Sequence, residues 1–489
     1  LCTLDGIGEL QVELIETALS DKHPAVRRQA VRLSEGRDVN TTVLASLRDD
    51  SDAKVRLQLA CSLGECDGPE VGHSLAALAM GGADESFITA AVMSSVNPRN
   101  ITDILDSVIS VQRDSHVPPH VLNLFFAQAA AVGDQGAIGS VFERVLTDGS
   151  EEIEAWRLDA LATILDTLAR RRWDVNKLLA PPIRKRLDSA IQRARSLAGE
   201  DSTARAIRIS AVPLLLRSPK SMQTDLQTLG DLLVPQTHTD LQKAIVTHAG
   251  SRGDAEIATL MLDGWSAHGP ELRGQILGAL SGRPQWVGAL LDRMQSGDVV
   301  PADLDASARQ RLLATRDKAL LKRLEKSLEI TTTEDRERAI NEYRSALTLK
   351  GDLERGAVAF EKHCSQCHKH GDVGYEVGPN LTSLTSTQPD ALLTAILDPS
   401  QAVPAKYVNY VIITARGRSL SGILAAETGS SITLAEGEGK KRTILRKDID
   451  ELQSTGKSLM PDGIEKDLSV QDLADVIAYV RAMQNAAKK

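Results

Sequence analysis

The sequence predicts a mainly α chain. A long array of stacked helices comes first, and a smaller helical domain with an inserted β segment closes it. Three observations carry this. Helical apolar periodicity with short breaks recurs from the start to about residue 330. A short phrase repeats within it. A run of β-branched, alternating segments appears late, between two helical stretches.

The repeated phrase is clearest in its first two copies. Asp21-Lys22-His23-Pro24-Ala25-Val26-Arg27 is echoed by Asp50-Ser51-Asp52-Ala53-Lys54-Val55-Arg56. Looser copies are Ile207-Arg208 and Leu272-Arg273. Each sets an apolar residue and an Arg at a helix start, after acidic or small polar residues able to cap it. A helix pair of about 29 residues cannot bury its apolar stripe alone, so neighbours must stack. Aliphatic side chains suffice for such packing, in keeping with only 5 Phe, 4 Trp and 5 Tyr in 489 residues. Cys61 and Cys66 are expected to be small core or surface residues, since no further ligand adjoins them. His116 and His120 could share a helix face, but Pro118 and Pro119 lie between them.

Bulk properties exclude several classes. No stretch approaches 18 consecutive apolar residues, so no transmembrane segment is expected. A net charge of −9 gives no basic footprint for nucleic acid. Five cysteines are too few for a disulfide scaffold. The chain opens on Leu1 with no basic and apolar leader, and is read as a piece of a longer protein.

Thr331, Thr332 and Thr333 before Glu334 signal a helix start. That helix runs toward Leu349, and the boundary is expected near Lys350-Gly351. This assigns 1–348 to the helical array, 349–489 to the final domain, and 404–455 to the β insertion within it.

Cys364-Ser365-Gln366-Cys367-His368 is the sharpest signal in the chain. Thiols three apart can form thioethers with both vinyl groups of one haem, and the adjacent His then faces the iron. A zinc site would need two more ligands, and no Cys follows Cys367. A redox Cys-x-x-Cys would need a βαβ context that is absent. One covalent haem c is therefore the expected cofactor.

The sixth ligand follows by elimination. Met460 and Met483 are the methionines after the motif. Met483 sits on the last helix, where Met is commonly a gap filler. Met460 lies in Ser458-Leu459-Met460-Pro461-Asp462-Gly463, a loop held by Pro and Gly. His363 and His370 are rivals that lie too close to the proximal side. The expected metal ligands are His368 and Met460.

The flanks resemble class I cytochromes c. Leu353–His363 is a short amphipathic helix carrying Gly356 and Phe360. Asp472–Met483 is a second, with Leu473, Val476, Ile477, Tyr479 and Val480 apolar. Gly356 would let them cross closely, with Phe360 and Tyr479 near the crossing. Thr385–Leu397 fits the middle haem-packing helix. By this resemblance, Pro379 of Gly378-Pro379-Asn380-Leu381 would offer its carbonyl to the His368 Nδ1–H.

The excess length between His368 and Met460 is not helical. Tyr407–Ala415, Ser419–Ala426, Ser431–Leu434 and Lys441–Leu445 read as strands, with Ile449 and Leu452 as a fifth and Gly422 as a bulge. A small β-barrel or sheet is expected. It could be decorative, a docking surface, or a cover for the haem.

The repeat phrases resemble HEAT repeats. The ordered set from Gly356 through the haem motif, Gly378-Pro379, Ile396-Leu397-Asp398-Pro399, Asp448-Ile449 and Met460-Pro461 resembles the C-terminal haem domain of large multidomain proteins of planctomycetes and verrucomicrobia. The resemblance implies a HEAT-like α-solenoid followed by a class I cytochrome c-like domain. It also implies export to the periplasm or otherwise outside the cytoplasmic membrane. Electron transfer is the implied function, with an upstream membrane-bound dehydrogenase domain or a redox protein as partner. Alternatives are a haem enzyme of peroxidase type and a HEAT-repeat scaffold whose haem is non-catalytic. No catalytic residue set of another kind stands out.

Overall fold

The computed structural model describes the backbone of all residues except 84, 115–116, 133–134, 147–153, 329–332, 385 and 488–489. It divides into two compact units, Leu1–Arg217 and Ser218–Lys489. The chain is mostly helical, with one antiparallel sheet near the C-terminus. Among the described residues no helix is long and apolar enough to cross a membrane.

In the first unit, helices pack on their next-but-one neighbours. Pro24–Leu33, Ala53–Ser62, Ser86–Ser95, Pro119–Val132 and Ala155–Arg170 form one succession. Thr41–Ala45, Pro69–Gly81, Ile101–Asp114 and Gln135–Val145 form the other. Buried Val, Leu, Ile and Ala fill the space between them.

The repeated Arg has a structural task. Arg27 Nη1 donates to the Asp21 carbonyl at 2.8 Å, and Arg56 Nη1 to the Asp50 carbonyl at 2.8 Å. Arg208 Nε reaches Ala198 O and Arg273 Nε reaches Trp265 O, both at 3.0 Å. In every copy the guanidinium ties its helix to the connection before it. Side-chain caps appear in the first two copies, and the expected acidic cap only in the second. His23 accepts from the Ala25 N–H, and Asp52 from the Lys54 and Val55 N–H groups. Ala204 and Gly269 begin the other two helices and supply no side-chain acceptor. Cys61 and Cys66 are free thiols. His116 and Thr331–Thr332 lie outside the described residues.

The second unit holds the remaining helices, the sheet and the haem motif. Four helices bear on the site: α1 (Glu334–Tyr343), α2 (Leu353–His363), α3 (Pro389–Leu397) and α4 (Val470–Ala487). Asp352 caps α2, accepting from the Glu354 and Arg355 N–H groups at 3.1 and 2.9 Å. Helix α3 is shorter than the expected Thr385–Leu397. Pro389 opens it, and a Pro disfavours the helical region for the residue before it.

Helices α2 and α4 cross at Gly356. A Cβ there would lie 2.2 Å from the Asp475 carbonyl oxygen and 2.8 Å from the Tyr479 Cβ, so only Gly permits this approach. The Phe360 and Tyr479 rings meet at 5.6 Å beside the crossing, as expected. His370, fully buried, packs its ring against both, 5.7 Å from Phe360 and 5.1 Å from Tyr479. Buried Asp475 accepts from the Asp352 N–H at 2.8 Å, Arg355 Nε at 2.7 Å and Gln471 Nε2 at 2.9 Å. Burial would raise its pKa, but these donors outweigh it and hold the carboxyl below the usual range.

Helix α1, before the expected boundary, is built into this region. It packs on α3. Arg336 forms a bidentate pair with Glu465 at 2.9 and 3.2 Å and donates to the Leu397 carbonyl at 3.0 Å. The Tyr343 hydroxyl donates toward the Glu465 and Leu468 carbonyls at 2.7 and 2.9 Å.

The sheet comprises β1 (Val408–Thr414), β2 (Ser419–Glu427), β3 (Ser431–Ala435), β4 (Lys441–Leu445) and β5 (Ile449–Ser458). Its order is β4-β3-β2-β1-β5, all antiparallel. Strands β4 and β5 are opposite edges, so the sheet is open and the barrel alternative is corrected. The short turn Trp265–Ala267 packs on β5, where a closing strand would lie. Gly422 is not the bulge. It pairs regularly with Tyr410, and the irregularity falls between Leu424 and Ala426. Gly422 serves close approach instead, since a Cβ would lie 2.6 Å from the Ala435 carbonyl oxygen. Val408, Tyr410, Ile412, Ile432, Leu434 and Ile444 cluster on one face of the sheet.

The sheet is tied to helices earlier in its own unit. Buried Arg446 pairs with Glu427 and donates to the Pro235 carbonyl at 2.6 Å. Arg273 pairs with Asp303 at 2.7 Å, both buried, and its guanidinium lies 5.7 Å from the Tyr410 ring centre.

Candidate haem site

The haem motif begins where α2 ends. The Cys364 N–H closes the helix on Phe360 O at 2.8 Å. A tight turn follows, with the Cys367 and His368 N–H groups both donating to Cys364 O, at 3.1 and 2.9 Å. The return loop wraps this turn. Tyr375 N–H bonds Ser365 O at 2.9 Å, Val377 and Gly378 N–H bond Cys367 O at 3.0 and 2.7 Å, and Leu381 N–H bonds Lys369 O at 2.8 Å.

That loop brings Pro379 onto the imidazole. His368 Nδ1 donates to the Pro379 carbonyl at 2.8 Å, which leaves Nε2 as the nitrogen available to a metal. A Cβ on Gly378 would sit 2.7 Å from His368 Cε1, so the ring packs flat against a Gly backbone. Burial pushes the imidazole pKa down, partly opposed by the Pro379 carbonyl. The neutral form that binds a metal is thereby favoured.

Cys364, Cys367, His368, Pro379 and Met460 all line one cavity of about 670 Å³. All five residues singled out in the sequence thus meet at one place. The cavity lies among α2, α3, α4 and the sheet, and its wall is mostly apolar, including Phe360, Leu381, Leu392, Val476, Ile477 and Val480. Strand β5 delivers Met460 two residues beyond its end. Ser400 Oγ holds the Ser458 N–H and Ser458 Oγ holds the Met460 N–H, both at 3.2 Å. Gly463, at φ +94°, turns the chain away toward α4. The rivals His363 and His370 are not among the lining residues. The Met483 side chain lies outside the described residues.

The electrostatics of the two thiols differ from those of a reactive pair. Burial, with Cys367 adding to it, pushes the Cys364 thiol up to about 12, and burial also raises Cys367. Redox and nucleophilic cysteines need the opposite shift. Two protonated thiols, one neutral imidazole and one thioether in an apolar cavity fit a covalently held haem.

Sequence reading missed several wall residues. Val403, Pro404, Tyr407 and Ile423 also line the cavity. Alternation along β2 could have flagged Ile423, but its face depends on strand register.

Residues 351–408 match the family model described as cytochrome C oxidase, cbb3-type, subunit III. No curated protein matches the chain. The match covers α2, the haem motif, the Pro379 loop and α3, and stops at the first residue of β1; the rest of the sheet and Met460 lie beyond it. On this match and the fold around it, the C-terminal region carries a cytochrome c-like domain, a kind of domain that binds haem c for electron transfer.

Proposed function

We propose that the C-terminal domain is a monohaem electron-transfer module acting outside the cytoplasmic membrane. The preceding helices form a HEAT-like scaffold that holds it toward a dehydrogenase domain or a separate redox protein. The observation that carries this reading is the convergence of Cys364, Cys367, His368, Pro379 and Met460 on one apolar cavity.

Haem c, when bound, supplies a one-electron Fe(III)/Fe(II) couple. Cys364 and Cys367 anchor it through thioethers. Pro379 fixes the His368 tautomer and raises the basicity of Nε2. Met460 would hold the iron through its thioether sulfur from its loop. A His/Met pair sets a higher potential than two imidazoles would, which suits an acceptor of electrons. The apolar wall keeps water from the site.

Two measurements test this. Haem-stained denaturing gels and pyridine haemochrome spectra should give one covalent haem per chain. The Cys364→Ser/Cys367→Ser double variant should lose it entirely. The long-wavelength iron–sulfur band of the oxidised protein should vanish in Met460→Ala and persist in Met483→Ala. The reverse pattern would reassign the ligand, and a haem-free wild type made in a cytochrome-maturing host would end the reading.

A further inference from the structure

The sheet meets the cavity at few places, and Ser458 at the end of β5 lines it with a hydroxyl that accepts from the Met460 N–H. Tyr407, just before β1, and Ile423 on β2 line it. Ile423 is buried with Val377 and Ala435 in a cluster that Cys367, Tyr407 and Leu459 complete. The rest of that face of β2 is solvated, since Ser419 and Ser421 are exposed while Ile423 is 6% exposed. An apolar side chain thus stands at the one point where the face reaches the haem motif.

The β3–β4 turn grips the same motif from its backbone. The Glu438 N–H donates to the Gln366 carbonyl, between the two cysteines, at 2.7 Å. Glu438 and Gly439 adopt positive φ, 61° and 68°, to make this turn. A Cβ on Gly439 would lie 3.0 Å from the Tyr375 ring, so the turn is seated against the return loop as well.

We propose that the sheet is the water-excluding wall on the Cys367 side of the haem cavity, with Ile423 as the residue that raises the reduction potential. This rests on the haem reading above. The physical basis is solvation. Water or a hydroxyl beside the site favours the more highly charged oxidised state, and an apolar wall removes that preference. Ile423 acts through the medium and binds nothing.

The test is a redox titration of the full haem-loaded chain. Ile423→Val and Ile423→Thr leave β-branched side chains of the same shape, differing by one hydroxyl. The potential should stay near the parent value in Ile423→Val and shift negative in Ile423→Thr, with one covalent haem retained in both. Tyr407→Leu and Tyr407→Ser repeat the comparison outside any strand, and decide the matter if the Thr variant does not fold. Coincident potentials within both pairs, with haemochrome spectra intact, would overturn the proposal and leave the haem reading standing. A parent chain without covalent haem would overturn both.

Discussion

The phrase-bearing helices and the α2–α4 pair face the same packing problem and meet it differently. In the former, each helix is tied to the connection before it by an Arg, and the device recurs at Arg27, Arg56, Arg208 and Arg273. In the latter, close approaches at Gly351 and Gly356 and one buried carboxylate at Asp475 carry the contact. Repetition spreads the constraint over many positions. The crossing beside the haem motif concentrates it on a few, which suits a site whose ligands must be held to a fraction of an ångström.

The largest expected effect comes from filling the crossing. Gly356→Val should destabilise the second unit by about 3 kcal/mol or more, because the new atoms meet backbone that cannot move aside. Gly274, inside the Pro270–Ser281 helix, has open space around its Cα, so Gly274→Ala should stabilise by about 0.5–1 kcal/mol. Denaturant titrations of the two variants measure the contrast directly. Equal effects would mean that the crossing is as tolerant as the array.

The Asp475→Asn change should cost about 2 kcal/mol at neutral pH, since it weakens a buried charged acceptor of three donors. Its pH dependence has a definite sign. The folded pKa is held below the unfolded value of about 3.9, so the carboxylate stabilises fully above that value. That contribution is lost as pH falls through the folded pKa. The gap between wild type and Asp475→Asn should therefore narrow below about pH 4. A gap independent of pH between 6 and 2.5 would show that the charge is not what stabilises the crossing.

The smallest loss of stability lies in the array. Asp52→Ala removes a cap from Ala53–Ser62 and should cost about 1 kcal/mol, read as a shift of the first unit's unfolding midpoint. A cost matching that of Asp475→Asn would erase the distinction between spread and concentrated constraint.

Much of the site was legible because its chemistry is local in sequence. Cys364, Cys367 and His368 stand within five residues, and Pro379 returns after a loop of ten. Gly356, Phe360 and Tyr479 could be paired because two amphipathic helices need a small residue where they cross. Met460 was reachable by elimination among few methionines. The sheet was legible as strands but not as an open sheet, because closure depends on what covers β5, and that is the distant Trp265–Ala267 turn. Asp475 gave no signal, since Asp352 and Arg355 lie far along the chain from it, and His370 was read only as a rival ligand. The caps of the looser repeats were overcalled for a related reason. Arg208 and Arg273 already fasten those helix starts, so the residues before them are free to be Ala or Gly.

The clasp between α1 and the chain beyond Met460 bears on how this protein can be dissected. Arg336 and Tyr343 together engage Glu465, Leu468 and the end of α3 through their side chains. A fragment begun at Lys350 would retain every residue proposed to touch the haem, yet the segment that presents Met460 would have lost its outer brace. Expression boundaries for an isolated cytochrome fragment therefore belong upstream of Thr333, which caps α1.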